Sequence, residues 1–432
     1  MWNTPRIVRR FLALAIILVA LFAAGGAAPA LAQDQSIRGT LEAIDGQDRE
    51  PVEGVTVTVA QDGGDVGTAV SDSAGEWAVA VPQPGNYQVR LDTETLPDGV
   101  SLTNPDRDEL DNVDVRAGQN KTVRFQLGPG VVGGVSDIER FLDLVVLGLK
   151  LGAIIAMSAV GLSLVFAVTR LVNFAHGELV TLGAVIAFFF HASGGGPDWS
   201  LFLAAIPAVV MVALFGGAQE LWLWRPLRRR RTGLVAMLVV SIGLALAIQN
   251  TVLVILNGEP RTYADYAVQQ EVDLLFISTV PKNIFIIVSA LVVLGLVGLF
   301  LMRTQTGVAM RAVADNSDLA ESSGIDVNRI ILATWIMGAG LAALGGVYFG
   351  VSENVQFNMG NRILLLIFAA VVLGGLGTAF GAMLGGFVIG VAVEVSTYWI
   401  DTELKTAVAL AALIVMLLVR PQGLLGTKER IG

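Results

Sequence analysis

The chain has no cysteine, only two histidines, and charged residues make up just 15% of its 432 positions. Without cysteine there are no disulfides, no thiolate chemistry and no sulfur-based metal site. Two histidines are too few for a His-rich metal centre. No Gly-x-x-x-x-Gly-Lys-Ser/Thr, His-Glu-x-x-His or Gly-x-Ser-x-Gly pattern occurs, so neither a nucleotide motor nor a hydrolase is written here. A soluble domain carries about 25% charge, and this chain falls well below that. A resident cofactor and a nucleic-acid partner have no support.

What the chain has instead is apolar: 54% hydrophobic residues, a mean hydropathy of +0.68 and 49 glycines. A helix in lipid satisfies its own backbone, so apolar runs of about 20 residues read as membrane spans. The runs fall at 140–168, 174–191, 200–222, 233–256, 283–302, 329–350, 362–376, 380–398 and 405–419. The glycine-rich 373–386 stretch could instead be re-entrant, which would change the count. The net charge of −9 is uneven, with acids crowded between Asp34 and Glu139 and arginines clustered at 225–231 and 303–329. Arg-rich loops stay in the cytoplasm. Trp199, Tyr398 and Trp399 at outer ends, with Trp222 and Trp224 at an inner end, suit interface belts.

At the N-terminus, Arg6, Arg9 and Arg10 precede the apolar run Phe11–Ala24, and Ala30-Leu31-Ala32 offers small residues for a signal peptidase. Residues 1–32 read as an export signal cleaved after Ala32, or as an uncleaved anchor. In both cases the chain from residue 33 onward begins outside the cytoplasm. Nine crossings from that start put Arg170, the 225–231 cluster, the 303–328 loop and the tail after Arg420 inside. Residues 33–128 change character. Val55–Val59, Glu76–Val81, Asn86–Leu91 and Lys121–Leu127 alternate with a period of two, and Gly63-Gly64, Ala74-Gly75, Pro84-Gly85 and Asp98-Gly99 supply turns. This is a small antiparallel β-sandwich, joined through a glycine-rich linker at 129–139 to a membrane domain at 140–426. Asp62, Asp65 and Asp72 suit turn solvation better than calcium. The fold class is a polytopic α-helical membrane protein of about nine spans, preceded by a small exported all-β sandwich domain.

Two stretches carry candidate chemistry. Asn173-Phe174-Ala175-His176-Gly177-Glu178 sets polar groups between apolar runs, where they face protein, water or solute. Asn173 can equally cap the next helix, and the whole stretch can be a satisfied hairpin. Glu394 is a carboxylate deep in an apolar helix, a candidate for a translocation path or for packing. The loop Thr304–Val327 has helix formers, a stop at Gly324 and a new start capped by Asp326. Met310, Val313 and Leu319 mark one face of it for burial.

Three segments of the β-region, 51–57, 71–77 and 82–87, resemble the carboxypeptidase-regulatory-like domain. In the membrane region, residues 173–178, 307–327, 372–377 with Gly381-Ala382, and Arg420-Pro421-Gln422-Gly423-Leu424 together resemble the permease subunit of branched-chain amino acid ABC importers. The likeness covers nearly all of 140–426. It implies a bacterial inner-membrane subunit working by alternating access, with cytoplasmic ATP-binding subunits, a second permease subunit or second copy, and an extracytoplasmic solute-binding protein as partners. It also implies that Asp318–Gly324 corresponds to the Glu-Ala-Ala-x-x-x-Gly loop that docks on the ATPase, here with Asp for Glu, Leu for the first Ala, and no later Pro. Gly307, Arg311, Asp315, Asp318, Ala320 and Gly324 are then the coupling residues, and Asn173, His176, Glu178 and Glu394 the pathway candidates. Urea and short-chain amide importers use permeases of the same family, which leaves the solute open. An ion-coupled secondary transporter would place several acids at mid-membrane, but these carboxylates lie mainly in loops. A receptor anchored for its β-domain needs one span, not nine.

Overall fold

A computed structural model of the chain describes residues 35–426 apart from 46–47, 62–63, 84, 98, 103–107, 116–119, 124, 129–136, 192–196, 264–265, 267–271, 275–276, 401 and 421. The export-signal reading, and the linker reading up to residue 136, fall outside the described residues. Two compact units divide the chain, one within 29–136 and the other within 137–432.

The first unit is built of strands β1 Ser36–Thr40, β2 Glu42–Asp45, β3 Asp48–Pro51, β4 Thr56–Gln61, β5 Gly64–Val70, β6 Glu76–Ala80, β7 Gly85–Leu91, β8 Ser101–Leu102, β9 Glu109–Val115, β10 Asn120–Thr122 and β11 Gln126–Gly128. They pair in the orders β5-β4-β7-β9, β3-β2-β11-β8 and β10-β1-β6. Alternation builds the core: Tyr87, Val89 and Leu91 of β7 turn inward and gather with Val57, Val59, Trp77 and Val79. The run expected as one strand at 121–127 is two, because β10 pairs with β1 while β11 pairs with β2. The partner strands break at the same point. Leu41, between them, donates to Gly75 and accepts from Val52. Asp72 spends its Oδ1 on the N–H groups of Ala74 and Glu76, each at 2.9 Å, so it serves the turn.

The second unit is helical: α1 Asp137–Thr169, α2 His176–His191, α3 Leu201–Gln219, α4 Arg225–Arg229, α5 Leu234–Leu256, α6 Pro281–Arg303, α7 Gln305–Asp315, α8 Ser317–Ser322, α9 Val327–Ser352, α10 Met359–Gly374, α11 Ala379–Ser396 and α12 Lys405–Val419. A π-helical turn, Glu220–Trp224, joins α3 to α4. Among the described residues, six helices are long and apolar enough to cross a membrane, with α3 counted through Arg229, while α2, α10 and α12 are shorter. Nine apolar helices thus stand where nine runs were read. The glycine-rich stretch is a turn between α10 and α11, in which Gly375 and Gly377 take positive φ.

Two of the nine are short hairpin arms that start part-way inside the bundle. His176 Nε2 donates to Ser158 O at 2.9 Å, and Ser158 lies eleven residues before the end of α1. At 1.5 Å per residue, α2 therefore starts about 16 Å back inside the bundle. Residues 170–175 run back alongside α1 to reach that point. Residues 353–358 do the same beside α9, where Val355 bridges to Arg261, and α10 starts with Gly360 N–H donating to Thr181 Oγ1 of α2 at 3.0 Å.

These hairpins are copies. Adding 183 to the bounds 169, 176 and 191 gives 352, 359 and 374, the end of α9 and both ends of α10. A methyl on Gly177 would press on Gly360 O and the Leu364 side chain; one on Gly360 would press on Gly177 O and the Thr181 side chain. Leu364 is Thr181 displaced by 183, so the contact is reciprocal, as a two-fold axis between the glycines requires. Likewise Gly386 of α11 packs on Ala156 of α1, and Gly216 of α3 on Ala339 of α9, where 156 and 339 again differ by 183. Arg170, after the end of α1, donates to Ala314 O of α7, while Arg225 donates to Asn328 O at the start of α9. α1 therefore ends, and α9 begins, on the α7–α8 face, which makes the two copies antiparallel, an inverted repeat. The segments read as sharing one side do share it: Arg170, Arg225 and α7–α8 join there, and so does the tail, where Leu424 donates to Leu373 O at 2.8 Å.

Candidate functional site

The site has two parts, one inside the bundle and one on its α7–α8 face. Inside, residues 170–175 deliver three polar side chains to the start of α2. Asn173 is fully buried; its Oδ1 accepts from Ala175 N–H at 3.1 Å and its Nδ2 has no protein partner. His176, also buried, gives its Nε2–H to Ser158 O, so that nitrogen carries a proton. Glu178 is 2% exposed, stands in the first turn of α2 and leaves Oε2 without a partner. A carboxylate suits the positive end of a helix. Asn173 turns the chain toward α2 by accepting from Ala175 N–H, which uses only its oxygen.

Glu394 does not join this group. It ends α11 and takes Lys405 Nζ of α12 at 2.8 Å, a half-buried pair that ties two helices together. Sequence reading had no means of separating it from the other three, because the pairing depends on a turn between helices.

On the face, α7 and α8 form a capped lever. Thr304 Oγ1 accepts from Gly307 N–H at 3.0 Å, Asn316 Oδ1 from Leu319 N–H at 3.0 Å, and Asp326 Oδ1 from Arg329 N–H at 3.1 Å. The inner side consists of Gly307, Met310, Val313 and Ala320, all buried. Gly307 is there because any Cβ would run into Phe300 O and Leu301 of α6. Leu319, expected inside, is 65% exposed. The chain restarts at the Asn316 cap, which resets the helical phase and turns Ala320 inward in its place. Arg311, Asp315, Asp318 and Gly324 lie on the outer side with Leu319, all of them exposed. Gly324 holds φ +88° at the end of α8, where a side chain is strained.

An ion cluster that sequence reading missed sits next to this lever. Glu220, fully buried in the π-turn, accepts from Arg228 at 3.0 Å through Oε2 and pairs with Arg225 at 3.5 Å. Arg225 Nη2 also donates to Asn328 O at 3.0 Å, at the foot of α9. Trp224, read as an interface residue, is buried and stacks on Trp335 of α9 with centroids 5.7 Å apart. The extra residue of the π-turn rotates it inward. The arginines alone had suggested only which side the loop lies on. On the opposite face Tyr263, in the loop after α5, is fully buried and donates its hydroxyl to Ala184 O of α2 at 2.8 Å. Burial pushes that phenol far above its usual range.

Residues 144–417 match the family described as branched-chain amino acid transport system / permease component. The chain is 32% identical over 304 residues to the high-affinity branched-chain amino acid transport system permease protein LivH of Salmonella typhimurium, covering 67% of this chain and 96% of that one. It is 33% identical over 306 residues to BraD of Pseudomonas aeruginosa, which carries the same description, covering 68% and 98%. A probable branched-chain amino acid transport permease protein LivH of Methanocaldococcus jannaschii is 27% identical over 288 residues, covering 63% and 89%. No solved structure matches. The β-unit precedes the matched residues, and the nine apolar helices from α1 to α12 carry the match. On that footing the chain belongs to the branched-chain amino acid transport permease family.

Proposed function

We propose that this chain is the membrane subunit of an ATP-driven importer that carries branched-chain amino acids inward by alternating access. The likeness to LivH and BraD over nearly their whole length supports the solute class. The α7–α8 lever supports the drive. It is packed on its inner side, bare on its outer side, and runs on through the Asp326 cap directly into the foot of α9. A chain without a phosphate-cradling loop borrows its motor, and cytoplasmic ATP-binding subunits gripping Arg311, Asp315, Asp318, Leu319 and Gly324 would rock α9 against α3. In this reading the α7–α8 face is cytoplasmic and the β-unit, 33–128, is exported, where it assists a solute-binding protein. A second permease subunit completes the pathway.

The test is uptake of labelled leucine, with urea as the comparison, into vesicles holding the chain with its ATP-binding subunits and binding protein. Asp318→Lys and Gly324→Arg should abolish leucine uptake while leaving the folded chain intact in detergent. Normal uptake in both variants removes the assigned drive; uptake of urea but not leucine removes the solute.

A further inference from the structure

The two copies share a backbone but not a lining. Among the described residues, the first copy (α1 to α5) buries ten polar side chains: Ser158, Ser163, Asn173, His176, Glu178, Thr181, His191, Gln219, Glu220 and Ser241. The second (α9 to α12) buries one, Thr334, which bonds to its own helix at Ile330 O, 2.9 Å away. The contrast is one of burial at Asn173 and Glu178, whose counterparts Gln356 and Asn361 are polar but not buried, and one of polarity elsewhere. Displacement by 183 pairs Ser158 with Leu341, His176 with Met359 and Thr181 with Leu364, and all six are buried. In the outer helices Gly216 and Gly386 correspond, a displacement of 170, which pairs Gln219 with Ile389, both at 0% exposure. The second copy thus shows that this fold needs no polar groups at these positions.

Structure explains some of the first copy's polarity. His176 and Thr181 are satisfied, by Ser158 O and by Gly360 N–H. Four side chains are not so accounted for. Ser163 Oγ, Asn173 Nδ2, Glu178 Oε2 and both amide atoms of Gln219 are buried with no protein partner. An unpaired buried polar atom is costly to keep, and intramembrane polar groups mark solute paths when packing does not use them. The unpaired set has both signs: Asn173 offers a donor at the start of α2, and Glu178 an acceptor in its first turn. That pairing matches a molecule carrying an anion and a cation on one carbon. The start of a helix favours the anion.

We infer that, of this chain's two copies, only the first lines the solute path, and that Asn173 and Glu178 receive an α-amino acid head group, the carboxylate at Asn173 Nδ2 and the ammonium at Glu178. The second copy, whose unpaired buried atoms are only Asn358 Oδ1 and the Trp335 indole nitrogen among the described residues, is the more apolar frame against which the first opens, hinged where Gly177 meets Gly360. This rests on the importer reading for its solute, but not for which copy is lined.

The absence of cysteine makes the test direct. Asn173→Cys and Gln219→Cys, with their counterparts Gln356→Cys and Ile389→Cys, are reconstituted with the ATP-binding subunits and binding protein. Each is then exposed to a small cationic methanethiosulfonate during ATP turnover. The first pair should react at least about tenfold faster than the second, and leucine should slow it; if one of the pair fails to fold, the other decides. Glu178→Gln should raise the KM for leucine about tenfold, the worth of one charge-assisted contact, while Glu394→Gln leaves it unchanged. Equal reactivity in the two copies, or inert first-copy cysteines during turnover, overturns the inference even where leucine uptake is normal. If leucine is not carried but another amino acid protects the first pair, the solute proposed above falls and the lining stands.

Discussion

α2 and α10 are the same length, start deep in the bundle after an extended return segment, and touch through one glycine each, yet they open differently. α2 begins His-Gly-Glu and α10 begins Met-Gly-Asn. The first buries its polar residues and leaves atoms of them unpaired, whereas Asn361 of the second is exposed. The glycine is what the two copies keep in common because backbone touches backbone there and no side chain fits. The residues on either side are free to diverge. Shape is held in common and chemistry is assigned to one half, which lets a two-fold frame carry an asymmetric solute.

The sharpest way to break this comparison is at the charged end of the first copy. Glu220 is fully buried against Arg225 and Arg228, whereas the second copy's acid, Glu394, keeps a partner in Lys405 that water still reaches. Glu220→Ala leaves two arginines without their acid, and removing one member of a buried cluster costs about 3–5 kcal/mol. Glu394→Ala costs about 1 kcal/mol or less, as for other solvent-screened pairs. Thermal melting of the detergent-solubilised chain should drop sharply for the first and barely for the second. Equal losses would mean that the first copy's polarity is no more structural at this end than the second's.

Next in size is the shared contact. Gly177→Ala and Gly360→Ala each push a methyl into the opposite helix's carbonyl, an overpacking that costs about 1–3 kcal/mol. Backbone cannot rotate aside as a side chain can, so the upper part of that range applies. Because the contact is reciprocal, the two variants should lose similar stability by the same melting assay. A tolerated Gly360→Ala beside a disabled Gly177→Ala would break the two-fold description.

Much of this was legible in the sequence. Runs of apolar residues placed nine helices within a few residues of most of their bounds, since lipid leaves the backbone no alternative to internal hydrogen bonds. Alternation placed β4, β6 and β7. The cap at Asp326 and the stop at Gly324 act locally and were visible as local patterns. Depth was not visible. Nothing in 170–175 says that the chain turns back about 16 Å before starting α2, because that depends on which residue His176 finds across the bundle. The phase of Leu319 depended on where one helix stopped and the next was capped, and the burial of Trp224 on one extra residue in a π-turn. The repeat is faint for the same reason: Val172-Asn173-Phe174 and Val355-Gln356-Phe357 echo each other over three positions, and only the mutual glycine contact gives that echo weight.

The smallest expected effect tests the join itself. Thr181 Oγ1 accepts Gly360 N–H at 3.0 Å, while the counterpart position, Leu364, offers Gly177 only a carbon. The two halves of the reciprocal contact are thus held unequally, by a hydrogen bond on one side and by packing on the other. Thr181→Val keeps the branched shape, removes the acceptor and strands a buried N–H at the start of α10, for about 1–2 kcal/mol. Leu364→Val shortens an apolar side chain and costs about 1 kcal/mol through lost burial. Amide exchange at Gly360 separates these causes: it should quicken in Thr181→Val and stay slow in Leu364→Val. Fast exchange in both would mean that packing, not the hydroxyl, anchors α10, and that the polar group at 181 is free to serve the solute alongside Asn173 and Glu178.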